Sequence, residues 1–171
     1  MYIQVKLMPD SLPPLDLRGT AYCASFNLRR TARAITRLFD FAFQDCGIRS
    51  TQFTILIGVA KTQPTSIGAL AKLLIIDPTT LTRSLRLLEK QGWLAISKRS
   101  TKRRRFVTLT AQGKQALARS LPAWRAVQER FVQAIGPEQW TKLRCELETL
   151  AHVAADLEDP REEPGIAFQP S

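Results

Sequence analysis

The stretch Asp77-Pro78-Thr79-Thr80-Leu81-Thr82-Arg83-Ser84-Leu85-Arg86-Leu87-Leu88-Glu89-Lys90, taken with its flanks, decides the fold. Asp77 can accept the free N–H groups of a first helical turn, and Pro78 presets the backbone of that turn. Leu81, Leu85 and Leu88 recur at helical spacing and form an apolar stripe. Thr79, Thr80, Thr82, Arg83 and Arg86 are left on the remaining surface. Upstream, Ser66 can cap a shorter helix that turns Ile67, Leu70, Ala71 and Leu74 inward. Downstream, Gly92 ends the second helix. Trp93-Leu94-Ala95-Ile96 and Phe106-Val107-Thr108-Leu109 then have the composition of paired hairpin strands. Residues 66–113 are therefore expected to form helix, tight turn, helix and hairpin.

The hairpin tip contains Ser97-Lys98-Arg99-Ser100-Thr101-Lys102-Arg103-Arg104-Arg105, six cations in nine residues with no acid. Over the whole chain Lys and Arg outnumber Asp and Glu by 25 to 15, a formal net charge of +10. A charge run alone is usually a solvated face. Its position after a helix that displays hydroxyls and arginines changes the reading. Such side chains reach base edges and phosphates in a DNA groove, and clustered positive charge attracts a polyanion. The pattern is that of a winged helix-turn-helix, with double-stranded DNA as the expected partner. An anionic membrane would require a basic amphipathic helix with an aromatic apolar face, and the sequence offers none.

At 171 residues, 44% of them hydrophobic, the chain can bury a core as one domain or as a small domain with long helices. No apolar run is long enough to span a bilayer. The start, Met1 to Asp10, lacks the charged leader and sustained apolar stretch of a secretory signal. Cys23, Cys46 and Cys145 are odd in number and widely spaced, so no disulfide framework is expected and a cytoplasmic location is. His152 is the sole histidine and has no Cys or His at ligand spacing, which argues against zinc. Neither a Gly-rich phosphate loop nor a strand-turn-helix nucleophile motif is present. The expectation is a protein that is not an enzyme and uses no cofactor, metal or membrane.

Outside the motif, residues 1–20 hold Pro9, Pro13 and Pro14 and are expected to form an extended arm. Residues 21–49 should supply a dimerisation helix over about 22–45. Leu28, Ala32, Ile35, Phe39 and Ala42 recur there at steps of three and four, and Leu38 and Phe43 widen the stripe. Arg29, Arg30, Arg33 and Arg37 take the other side, and Gly47 is suited to a C-cap. Residues 50–113 form the expected DNA-binding domain. It opens with a helix over 52–61, capped by Ser50 or Thr51, apolar nearly all round and hence central, before Pro64. Residues 114–157 supply two more dimerisation helices. Leu117, Leu121, Trp124, Phe131 and Ile135 share a stripe in the first, where Pro122 should cause a kink. After Gly136-Pro137, Trp140, Leu143, Leu147, Leu150 and Ala154 recur at heptad-like spacing. Residues 158–171, acidic and proline-rich, read as a disordered tail. A compact winged motif cannot cover three long apolar stripes. A second copy is expected to do so, placing two recognition helices on successive turns of the major groove. The alternative is a monomeric bundle that buries the stripes internally.

Gln52-Phe53 with Leu56, Leu70-Ala71, Thr82-Arg83, Leu88-Glu89-Lys90-Gln91-Gly92 and Leu109-Thr110-Ala111-Gln112-Gly113 occur in a distinctive order and spacing. Over about residues 22–155 they resemble the MarR (multiple antibiotic resistance regulator) family of dimeric transcription factors. Phe26-Asn27-Leu28-Arg29-Arg30, after Cys23, is similar to a short-winged branch of that family. The resemblance implies a mainly α fold with a small β-hairpin wing. It also implies a homodimeric transcriptional regulator, more often a repressor, on a pseudo-palindromic operator. Thr82 and Arg83 would lie in the major groove, and Arg103, preceded by Lys102, would enter the minor groove. Two positions depart from the family. Thr101 stands where an Asp would orient the wing arginine, which leaves Arg104 and Arg105 as alternative anchors. Ile75 stands where the turn usually has glycine, and a β-branched residue resists positive φ, which puts the turn geometry in question.

The resemblance further implies a small phenolic or otherwise amphipathic effector between the dimerisation helices and the winged domain, with Phe39, Phe43 and Trp124 as candidate lining. From the residues alone, aromatics at that spacing read as plain core. One branch senses organic hydroperoxides through a cysteine early in the first helix. Aligned on Phe26 and Leu28, that position is Ser25, and Cys23 lies two residues earlier, rotated by roughly 200° on a helix. Cys46 and Cys145 read as small hydrophobes. Two other functions stand beside the specific regulator: a basic architectural protein that coats DNA, and a thiol-switched redox sensor.

Overall fold

The computed structural model describes residues 15–98 and 105–158. The expected wing contacts Lys102, Arg103 and Arg104, most of the expected arm and the tail from 159 lie outside the described residues. The elements run α1 (Ala24–Ala42), α2 (Ser50–Thr62), β1 (Thr65–Ser66), α3 (Ile67–Leu74), α4 (Pro78–Lys90), β2 (Leu94–Lys98), β3 (Arg105–Leu109), α5 (Ala111–Ile135) and α6 (Pro137–Glu158). Short 3-10 turns at Thr20–Tyr22 and Gln44–Cys46 flank α1, and the second ends at Gly47, φ 68°.

Helix α2 is the centre of packing. Its Phe53, Ile55, Leu56 and Val59 are buried among Leu70, Leu81, Leu85, Leu88, Leu94, Val107 and Leu117. Its cap differs from the expected one, because Ser50 and Thr51 are already helical. The Ser50 N–H instead donates to Asp40 Oδ1 of α1 (2.7 Å), and the Arg49 N–H donates to Gln52 Oε1 (2.9 Å). First-turn N–H groups need acceptors from any source, and a carboxylate there also meets the positive end of the helix dipole.

Helix α3 starts as expected, with Ser66 Oγ accepting the Ala69 N–H (3.2 Å). It ends in a Schellman motif. The Ile76 N–H donates to the Ala71 carbonyl (3.0 Å) and the Ile75 N–H to the Lys72 carbonyl (3.2 Å). Ile75, at φ 50° and ψ 49°, occupies the left-handed position that glycine normally takes. The turn keeps its geometry despite the residue, at a strain on the order of 1–3 kcal/mol.

Strands β2 and β3 pair antiparallel, Ile96 opposite Val107, as their composition predicts. The sequence reading places only the capping Ser66 at β1. In the structure Thr65–Ser66 pairs with the other edge of β3, giving the order β1-β3-β2. Thr110 then joins the hairpin to α5. Its Oγ1 accepts the Gly113 N–H (3.0 Å) and donates to the Gly92 carbonyl (2.6 Å). A Cβ on Gly113 would collide with the Trp93 carbonyl oxygen, so only glycine lets α5 lie this close. Helix α5 continues through Pro122 without interruption.

The terminal helices are open. No α1 residue is buried. The stripe expected on α1 is covered only at its end, where Phe39 packs on the core and Phe43 is buried. Leu28 and Leu38 of the stripe are exposed, as are Phe26 (59%) and Phe41 (71%) outside it. On α6, Leu147 (39%) and Leu150 (49%) are exposed.

Candidate nucleic-acid interface

Helix α4 is held at its start by Asp77, whose Oδ1 accepts the N–H groups of Thr79 (3.0 Å) and Thr80 (2.9 Å). These bonds, the Thr80 N–H foremost, hold the carboxyl below its ordinary value of 3.8 against a weaker opposing effect of desolvation. Leu81, Leu85 and Leu88 are fully buried and fix the rotation of the helix. That rotation leaves Thr79, Thr80, Arg83 and Arg86 exposed, with Thr82 half-buried beside them. Thr82 Oγ1 donates to the Pro78 carbonyl (2.7 Å) and Ser84 Oγ to the Thr80 carbonyl (3.2 Å). With its proton engaged on its own helix, the Thr82 hydroxyl has only acceptor capacity left to offer a ligand. Neither Arg83 nor Arg86 makes an ion pair among the described residues, so both guanidinium groups keep their charge for a partner.

All five residues expected on the outer part of α4 therefore share its solvent side, four exposed and one half-buried. Of the expected wing cations, Lys102, Arg103 and Arg104 lie outside the described residues, while Arg105 is exposed at the first position of β3. The far end of α4 is tied back to the core. Gln52 Nε2 of α2 donates to Gln91 Oε1 just after α4 (3.3 Å), a bridge that no local pattern could reveal.

A cavity of about 460 Å³ lies between α1, α2 and α5. Phe39, Phe43 and Trp124, the candidate lining, all border it, together with Phe53 and Lys61. The rings form a chain: Phe39 to Phe43 at 6.4 Å between centroids, Phe43 to Phe53 at 4.8 Å and Phe53 to Trp124 at 6.3 Å. Phe43 is completely buried, so it is core and cavity wall at once. Ser50, at the rim, has a buried hydroxyl without a hydrogen-bond partner among the described residues. Phe53 and Lys61 are absent from the sequence-based lining because α2 is apolar nearly all round and no face of it stands out.

All three cysteines are free. Cys23 is exposed just before α1 and Cys46 packs against the core. Cys145, read with Cys46 as a small hydrophobe, is exposed on α6. The described residues contain no cluster of His, Cys, Asp and Glu suited to a metal ion, and no helix long and apolar enough to cross a membrane.

A three-stranded wing beside a capped helix that displays threonines and unpaired arginines defines a helix-turn-helix DNA-binding transcriptional regulator. The MarR family model matches residues 48–106. An HTH-type transcriptional regulator of Bacillus cereus is 30% identical over 105 residues, 61% of this chain and 70% of the relative. One of Bacillus anthracis is 28% identical over 116 residues, 67% of this chain and 78% of the relative. The structure of the Mycobacterium tuberculosis transcriptional regulator MosR in complex with DNA matches with a TM-score of 0.73 at 29% identity, covering 79% of this chain and 98% of MosR. The chain belongs to the MarR family of DNA-binding regulators, which are not enzymes.

Proposed function

We propose that the protein is a homodimeric repressor of a pseudo-palindromic operator. Residues 50–113 read the DNA, and residues 21–49 and 114–157 pair two copies. The observation that carries this reading is the outer face of α4, where Arg83 and Arg86 are exposed and unpaired beside Thr79, Thr80 and Thr82. In the major groove these side chains contact base edges and phosphates. Lys102, Arg103 and Arg104 of the wing contact the adjacent backbone and minor groove. The exposed Phe26, Leu28, Leu38 and Phe41 of α1 and Leu147, Leu150, Val153 and Leu157 of α6 support pairing, since grouped exposed apolar side chains mark interaction surfaces. The aromatic cavity supports an effector. A small phenolic or amphipathic molecule fits its rings, with Lys61 available to an acidic or phenolic oxygen.

Selection of bound sites from random duplexes, with the mass of the complex measured in solution, tests this reading. The expected result is a palindrome bound by two chains. A pool without consensus would replace it with the architectural reading, in which the same charges coat DNA without preference.

A further inference from the structure

Two penalties meet at Ile75. Its backbone lies at φ 50°, ψ 49°, a region that a β-branched residue resists and that glycine or asparagine enters readily. The residue is 70% exposed, an aliphatic group in water, whereas the neighbouring Leu74 and Ile76 pack against the core. The Schellman turn requires a left-handed residue and has no need of an isoleucine. The core does not receive the side chain either. Neither the turn nor packing accounts for this residue, and strain kept at such a place points to a partner outside the chain.

Its position indicates which partner. Asp77 caps α4 two residues later, and Thr79 and Thr80 open the exposed face of that helix. The chain from Ile75 to Pro78 measures at most about 11 Å between Cα atoms, less than the roughly 12 Å width of a major groove. A recognition helix presents its N-terminal residues to the bases, so a side chain in the preceding turn stands at the rim of the groove. Base edges there offer donors, acceptors and one apolar group, the thymine 5-methyl. Ile75 has no side-chain donor or acceptor, and a phosphate offers it no attraction. We infer that Ile75 is a specificity-determining residue that packs on the 5-methyl group of a thymine at the edge of each operator half-site. The inference rests on the reading that α4 enters the groove by this end.

The test uses the full chain and the duplex recovered by selection, with each thymine replaced in turn by deoxyuridine, which removes only the methyl group. For the wild type, one thymine per half-site should lose about fourfold in affinity, the effect of withdrawing one methyl from an apolar contact. Ile75→Asn, at ease in the left-handed region, should melt no lower than the wild type and bind the two duplexes equally. Ile75→Val should keep the difference. An equal uracil effect in wild type and Ile75→Asn, no effect at any thymine, or half-site edges without thymine would overturn the inference. Arg83→Ala distinguishes its failure from that of the underlying reading. If Arg83 discriminates operator from random DNA while uracil changes nothing, only the role of Ile75 falls. If Arg83→Ala weakens both DNAs equally, the placement of α4 falls, and the role of Ile75 with it.

Discussion

Thr110 Oγ1 donates to the Gly92 carbonyl at 2.6 Å, joining the segment that leaves α4 to the residue that starts α5. The same oxygen accepts the Gly113 N–H at 3.0 Å, so one side chain caps a helix and closes the base of the wing. Thr110→Val keeps the shape and removes both bonds. It should lower stability by about 1–2 kcal/mol, the range for a lost cap together with an orphaned carbonyl. Thr110→Ser keeps both bonds and should unfold close to the wild type in urea. Equal midpoints for valine and serine would show that this joint carries no stability.

Gly113 is constrained by backbone and not by a movable side chain. Its missing Cβ would meet the Trp93 carbonyl oxygen, so Gly113→Ala must push α5 away from the wing. A loss of about 1–3 kcal/mol is expected, as for other overpacked sites, with weaker DNA binding because the hairpin shifts. Denaturation and operator titration of one preparation check both effects. An alanine variant as stable as the wild type would contradict this packing.

Asp77 makes the start of α4 sensitive to acid. Its carboxyl is held low mainly by the Thr80 N–H, so the folded state favours the charged form. The contribution is present above the ordinary carboxyl value of 3.8 and is lost as pH falls below it through the folded value. Asp77→Asn retains a capping oxygen without the titration. Melting temperatures of wild type and Asp77→Asn, compared from neutral pH to pH below 3.8, should converge on acidification. A pH-independent gap would assign the difference to something other than charge.

Arg83→Ala should relax sequence preference, because an arginine on a base edge carries about 1–3 kcal/mol of discrimination. The expected signature is a large loss on the selected operator and a small one on random duplex, measured by anisotropy at fixed salt. Parallel losses would make Arg83 a phosphate anchor.

Leu147 and Leu150 stand 39% and 49% exposed on α6. If a second copy covers them, Leu147→Asp or Leu150→Asp buries an unpaired charge at the interface. Light scattering should then find monomer or aggregate in place of dimer. A soluble, DNA-bound dimer from either variant would remove α6 from the interface.

What could be read from the sequence divides by range. Helix α4 is legible because its cap, its proline and its three leucines lie within one stretch of chain, and the structure keeps each in its expected place. Strand β1 is illegible because two residues carry no periodicity. Ile75 misleads in a different way. Its intrinsic preference argues against a left-handed turn, yet the bonds to Ala71 and Lys72 impose one. The aromatic cavity is suggested only by the family resemblance, since from the residues alone its aromatics read as plain core. Phe39 and Trp124 lie on amphipathic helices with a recognisable inner side and Phe43 directly follows α1, whereas Phe53 and Lys61 belong to a helix wrapped in apolar residues. Which side of α2 borders the cavity depends on how α1 and α5 pack against it, and spacing along α2 does not encode that.

Asp40 belongs to α1, yet the first turn of α2 hangs from it through the Ser50 N–H. A fragment beginning at residue 50 and grafted onto a foreign scaffold would leave that carboxylate behind and start with a frayed turn directly beneath the core. The proposed DNA-reading half is therefore not a portable cassette. A working chimera must bring the last turn of α1 with it, or build an acid into its new host where Asp40 stood.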